Sequence, residues 1–224
     1  MCGRFTAVDV REIYIKYGLG DLVPYLEPSY NVAPSHEIPA ITNTSNSKDK
    51  RITMLKWGLI PSWAKDQSMA YKMINARAET VDERPSFRNL LKSKRCLIPA
   101  DGFYEWKREE KNKIPYRFIL RSGQVFAFAG LWDSWFNPNG DLINTFTIIT
   151  TTPNSLVEPV HNRMPVILTE ENEKLWLDPK FQDKHLLKEL LKPYPSELME
   201  KYQVSDIVNS PKNNDERCIQ RISL

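Results

Sequence analysis

The chain has 224 residues, 41% hydrophobic and 26% charged, with a formal net charge of +3. A chain of this length can bury roughly 70% of the surface its unfolded form exposes, so it needs no staples, and its charge is too mild to name a partner. Three cysteines at unrelated spacings (Cys2, Cys96 and Cys218) argue against a disulfide framework, and no apolar run reaches the length of a membrane span. The chain therefore reads as cytosolic.

It opens Met1-Cys2-Gly3-Arg4. Aminopeptidases remove an initiator methionine when the next side chain is small, which predicts a mature chain of residues 2–224 beginning with Cys2. A terminal cysteine carries an amine of pKa about 7.7–8.0 beside a thiol of about 8.5. Such a 1,2-aminothiol condenses with an aldehyde through its amine, and its thiol then closes a thiazolidine ring.

Thr6 followed by Asp9, then Val10, Ile13, Tyr14 and Tyr17 at helical spacing, predicts a capped amphipathic helix ending at Gly18. Residues 24–39 read as proline-punctuated loop. Residues 40–42 and 52–58 read as a hairpin around the polar turn 43–50, and 60–73 as irregular. Ser86 is the expected cap of a helix through Leu91. Strands are expected at 95–98, 103–107, 116–120, 125–132 and 145–151, separated by turn residues. Thr169 caps a predicted helix through Trp176, and 181–191 reads as a helix stopped by Pro193. A last strand is expected at 203–208. Strands dominate the middle and helices decorate the ends, so the class is α+β in one domain.

Three polar stretches sit among apolar neighbours. In the first, Asn75, Arg77 and Glu79 alternate with small residues, and an extended backbone would turn all three to one side. In the second, Glu105 lies between Tyr104 and Trp106, where desolvation can raise a carboxyl pKa into the acid/base range. In the third, His161 sits in a loop bracketed by Pro159 and Pro165, and imidazole is a general acid/base. Each taken alone also fits a structural role. His36, His161 and His185 lie far apart with no metal-ligand spacing, so no metal site is expected. With only eight glycines there is no phosphate-cradling loop and no cofactor is expected; a Gly-x-Ser-x-Gly elbow is also missing.

In order, the motifs Met-Cys-Gly-Arg-Phe, Tyr30-Asn31-Val32-Ala33-Pro34, Trp57 to Trp63 (WGLIPSW), Asn75 to Thr80 (NARAET), Arg95 to Trp106 (RCLIPADGFYEW) and Val160 to Pro165 (VHNRMP) resemble the SOS-response-associated peptidase (SRAP) family. The closing Val204-Ser205 and Val208-Asn209 fit as well, so the resemblance covers nearly the whole chain. It implies a single, mainly antiparallel domain of curved sheets with peripheral helices and a concave DNA channel. It also implies covalent capture of abasic sites in single-stranded DNA, by a monomer without a cofactor. By that resemblance the Cys2 amine attacks the sugar aldehyde and its thiol closes the ring. Glu105 shuttles protons, His161 assists sugar ring-opening, and Asn75 holds the partners in register.

Arg4, Arg77 and Arg163 match the family's phosphate contacts, and Trp63 matches an aromatic that packs on a base. Glu79 is expected to orient Arg77. Trp57, Trp106 and Trp132 are expected in the core, and Cys96 and Cys218 as buried thiols. After Trp63 the chain reads Ala64-Lys65-Asp66, where some relatives carry a second aromatic, so base stacking is expected to be weaker. Two alternatives accompany this reading. One is a thiol peptidase using Cys2 as an N-terminal nucleophile; the other is a non-covalent reader of modified bases.

Overall fold

The computed structural model describes residues 2–18, 27–43, 50–110 and 112–222. Strand β1 (Phe5–Ala7) leads into α1 (Val10–Tyr17), whose N-terminus is capped by the Asp9 carboxylate on Glu12 N–H. Gly18 ends the helix at φ 62°, a left-handed conformation that costs glycine little. Next come β2 (Ser29–Val32), β3 (Glu37–Asn43), β4 (Lys50–Trp57), the short β5 (Asn75–Arg77) and α2 (Leu90–Ser93). The middle of the chain is strand-rich: β6 (Arg95–Ala100), β7 (Gly102–Glu109), β8 (Asn112–Leu120), β9 (Phe126–Phe136) and β10 (Leu142–Thr151). Then follow β11 (Met164–Pro165), β12 (Ile167–Leu168), α3 (Glu170–Leu177), α4 (Lys184–Glu189) and β13 (Met199–Gln203).

The strands form two sheets. One has the order β13-β8-β7-β1-β2 and is antiparallel throughout. The other runs β11-β10-β4-β3-β6-β9-β12, with β5 added to β10. Pairing of β9 with β10 closes a five-stranded circuit, β10-β4-β3-β6-β9, which bends this sheet into a barrel. Only β10–β4 and β10–β5 are parallel among these pairings. The architecture is α+β with curved, mainly antiparallel sheets and helices at the periphery, as the resemblance implies.

Strand β9 shows how sequence alternation sorts the two cores. Phe126 and Phe128 enter a cluster with Phe5, Phe103, Phe118, Trp57 and Phe146, which joins the two sheets. Ala127, Ala129 and Leu131 point the other way, into a cluster with Trp176, Leu177, Leu187 and Leu191 of the helices and the segments that follow them. Both faces are buried, so the strand reads as a continuous apolar run. Gly130 fits between them because a Cβ there would lie 2.8 Å from the Cys96 sulfur.

Several expectations shift. Residues 24–39 hold β2 and the start of β3; positions 24–26 lie outside the described residues, as does the turn at 44–49. Pro39 is accommodated in β3 because β6 pairs only with Ile41 and Thr42, so its missing N–H faces no partner strand. Ser86 caps no helix; the helical turn is at Leu90–Ser93. The 181–191 helix is confined to Lys184–Glu189 behind an Asp183 cap, and the final strand comes earlier, at Met199–Gln203, followed by a 3-10 turn at Asp206–Asn209. No helix among the described residues is long and apolar enough to cross a membrane.

Candidate active site at the seam of the two sheets

Cys2 lies just before β1, and β1 is the strand that fixes it. Phe5 pairs with Phe103 and Thr6 with Gly102, and Tyr104 N–H donates to Arg4 O at 3.0 Å. Continuing that register sets Gly3 opposite Glu105. Asp101 anchors the strand further: its carboxylate accepts from Thr6 Oγ1, from the N–H of Val8 and Asp9, and from Arg117. Gly102 is required there, since a Cβ would meet the Arg117 guanidinium at 2.8 Å.

Cys2 is fully buried in the inter-sheet cluster, and Glu105 is 3% exposed. Burial, with the nearby Glu105 charge, pushes the Cys2 thiol far above its ordinary range. Burial also lifts the Glu105 carboxyl to about 7, against the opposing pull of the charged chain N-terminus. A carboxyl in this range exchanges protons at neutral pH in either direction.

The second sheet brings the other candidates. Asn75 on β5 pairs with Ile148, and β10 then leads through the turns at 154–160 to His161. His161 Nδ1 stands 3.8 Å from Glu105 Oε1, which makes it the bridge between the sheets. Nδ1 lies 3.1 Å from Arg163 N and 3.2 Å from Arg163 O, so it accepts from that N–H in one neutral tautomer and donates to that carbonyl in the other. Burial and the chain N-terminus hold its pKa below normal, more than offsetting its backbone bond to Arg163. Asn75 Nδ2 reaches toward Ile148 O at 3.5 Å; its Oδ1 is buried without a hydrogen-bond partner among the described residues. That leaves an acceptor available to a bound N–H or O–H.

Glu105 and His161 open onto a cleft of about 480 Å³ that Trp106, Arg108, Lys113 and Asn209 also line. Trp106 is half-buried: it packs on the Tyr104, Val204, Val208 and Cys218 cluster and also walls this cleft, its Nε1 donating to Asn209 Oδ1 at 2.7 Å. Trp57 is fully buried, while Trp132 is half-buried beneath the Lys94 ammonium. Cys96 and Cys218 are buried free thiols.

The expected DNA contacts are placed differently from one another. Arg77 is exposed and pairs in register with Thr150. Arg163 donates to Thr150 O at 2.6 Å and grips Glu79 through both terminal nitrogens, at 2.6 and 2.9 Å. Glu79 therefore orients Arg163 rather than Arg77, whose charge nevertheless helps to hold the Glu79 carboxyl low, after the Arg163 bond. The reason is local: after β5 the chain turns into a 3-10 segment (Ala78–Thr80), which ends the alternation expected to align Glu79 with Arg77.

Arg4 is half-buried and donates to Asn31 Oδ1, Val208 O and Asn209 O, tying the N-terminus to the C-terminal loop. Trp63 is 60% exposed. Its loop is tied to the Thr145 and Asp133 end of the sheet by the Ile60 and Ser62 N–H groups. From Thr145 to the partners of Asn75 and Arg77 is three to five residues along β10, roughly 10–17 Å. Trp63 is thus separate from the acid/base cluster. Sequence reading missed Arg108, Lys113 and Asn209 as cleft residues; the charged run at 107–113 (KREEKNK) was the available signal. No group of three or more His, Cys, Asp or Glu among the described residues is placed to hold a metal ion.

A seam between two curved sheets brings together the buried Cys2, a carboxyl lifted into the neutral range and a histidine. The model of the SOS response associated peptidase (SRAP) family matches residues 1–211, and the chain belongs to that family. It is similar to the abasic site processing protein YoqW of Bacillus subtilis, at 55% identity over 98% of this chain and 99% of that one. The abasic site processing protein HMCES of Xenopus tropicalis is 33% identical over 92% of this chain and 69% of its own length. Among solved structures, a protein from Bacteroides thetaiotaomicron superposes with a TM-score of 0.87 at 32% identity, covering 99% of this chain and all of that one.

Proposed function

We propose that this chain, after loss of Met1, captures abasic sites in single-stranded DNA as a thiazolidine on Cys2, and so shields the lesion during the DNA damage response. The observation that carries the reading is the convergence of Cys2, Glu105 and His161 at one seam, beside a cleft open to a polymer. The names of its relatives, abasic site processing proteins, point to the same substrate.

The ring-opened sugar presents an aldehyde at C1′. His161, whose pKa is held below normal, assists the opening of the sugar. The Cys2 amine adds to C1′ and gives a carbinolamine; Glu105 in its protonated form donates to the departing hydroxyl, and water leaves as the imine forms. The Cys2 sulfur then attacks C1′, its proton passes through Glu105 to the nitrogen, and the five-membered ring closes. One water is lost overall. The order matters, because burial keeps the thiol protonated. A thiol peptidase needs a ready thiolate; here the amine acts first, and the thiol meets an activated carbon already tethered beside it. Intramolecular placement of that kind is worth a large effective molarity, on the order of 10⁵ M or more.

Asn75 Oδ1 is the free acceptor that registers the amine or the sugar hydroxyl. Arg77 and Arg163 engage phosphates at the β10 end of the site, Arg4 adds its charge from within the frame, and Trp63 offers a stacking face further along. None of these contacts reads a base, which suits a lesion that has none.

The test is a denaturing gel with a single-stranded oligonucleotide carrying one abasic site. Wild type should give a heat-stable shifted band. An oligonucleotide with a tetrahydrofuran analogue, which has no aldehyde, should give none, and neither should Cys2→Ala. A shifted band that survives Cys2→Ala would overturn the mechanism.

A further inference from the structure

We infer that Arg108 and Lys113, on the β7–β8 hairpin, form a second phosphate subsite that takes the backbone of the DNA strand leaving the captured residue. The inference rests on the abasic-site reading above and extends it to the opposite wall of the cleft.

The two residues face each other directly across the ladder. Like charges directly opposite destabilise an antiparallel pair, so nothing in the hairpin's own stability calls for them. Both are exposed, and no carboxylate among the described residues lies within ion-pair distance of either. The acid nearest to Arg108 in sequence, Glu109, is engaged by Lys107 instead. Two uncompensated cations side by side form a site for an anion, and they line the same cleft as Glu105 and His161.

The cleft also has a continuation. A second hollow of about 640 Å³ shares Lys113 and Asn209 with it and runs on past Gln203, Ser205 and Asp206. A small substrate has no use for this extension, whereas a polymer leaving the seam would follow it. Trp106, held at its indole nitrogen by Asn209, stands between the catalytic end and the basic pair. The strand would then be gripped on two walls, by Arg77 and Arg163 from the barrel and by Arg108 and Lys113 from the other sheet.

The experiment measures affinity for a single-stranded oligonucleotide bearing the tetrahydrofuran analogue, which binds without reacting, at several salt concentrations. In Arg108→Gln/Lys113→Gln the slope of log affinity against log salt should flatten by about 0.7 if the pair shares one phosphate and about 1.4 if it takes two. Arg88→Gln/Lys180→Gln removes the same charge from two exposed residues elsewhere and should keep the wild-type slope. Oligonucleotides truncated on either side of the lesion should locate the effect: one truncation should erase the difference between wild type and variant, and the other should preserve it. An unchanged slope, an equal flattening in the control, or an effect indifferent to which side is truncated would overturn the subsite. Cross-linking of an aldehydic oligonucleotide by wild type is followed in parallel. Its failure would overturn the capture reading, whereas an unchanged slope with cross-linking intact would overturn the subsite alone.

Discussion

Replacing Glu105 by Gln separates what this residue does for the reaction from what it costs the fold. The carboxyl rises from an ordinary value near 4.5 to about 7, chiefly through burial. A folded-state pKa above the unfolded one means the native protein holds the proton more tightly. The associated stability is therefore present below about pH 4.5 and is lost as pH rises through about 7. A rise of this size corresponds to about 3 kcal/mol. Gln has nearly the shape of the protonated acid and cannot ionise. Wild type and Glu105→Gln should thus be close in stability at pH 5, while the variant should be more stable at pH 8 by up to about 3 kcal/mol. For a chain of this length that is an upward shift of roughly 6–12 °C in Tm. Thermal or urea denaturation of both proteins from pH 4.5 to 8.5 reads the difference, since titrating groups remote from Glu105 cancel in the comparison. The same variant should cross-link abasic DNA more slowly by about 10²–10⁴-fold, the usual contribution of a general acid/base. A stability difference that does not grow with pH, or a variant less stable than wild type at pH 8, would refute the assignment of a desolvated carboxyl.

Other substitutions probe the remaining parts. Cys2→Ser keeps the terminal amine and should form only an imine, trapped by borohydride and lost on heating without it. Arg77→Ala should weaken binding to single-stranded oligonucleotides of every sequence and flatten the salt slope by about 0.7, read by fluorescence anisotropy. Asp101→Ala removes one member of the buried pair with Arg117 and the acceptor for two N–H groups after β1. It should destabilise the protein by about 3–5 kcal/mol in urea denaturation, and should loosen Cys2 enough to lower the cross-linking rate.

Local signals in the chain were legible where local physics decides. The helix ending at Gly18, the Thr169 cap, the hairpin of β3 and β4 and the unbroken apolar run of β9 all follow from residues close in sequence, although Thr6, read with Asp9 at the helix start, lies in β1. The β2 strand was not legible, because its partners β1 and, through Asn31 and Asn214, the C-terminal loop are distant in the chain. The last strand was misplaced for a similar reason: Met199–Gln203 has little alternation of its own and is held by β8. For the site, the sequence offered the residue types at Cys2, Asn75, Glu105 and His161, and the motif order carried their grouping. Their approach across the seam depends on β1–β7 register and on the path after β10, which no local pattern encodes. The roles of Arg4 and Glu79 show the limit most clearly. A guanidinium reads as a phosphate hook in sequence, but three of Arg4's hydrogen bonds hold Asn31 and the 208–209 carbonyls. Glu79 is turned by one short 3-10 segment toward Arg163.

The central claim is that the terminal amine and thiol of Cys2 together hold the sugar of an abasic site. Intact mass spectrometry of untagged protein, incubated with a single-stranded oligonucleotide carrying one abasic site, tests it most directly. The account predicts free protein lacking Met1, and a heat-stable adduct with the mass of that protein plus the oligonucleotide less one water. Correctly exposed Cys2 with no adduct, or an equal yield of adduct from a chain whose N-terminus is blocked, would contradict it.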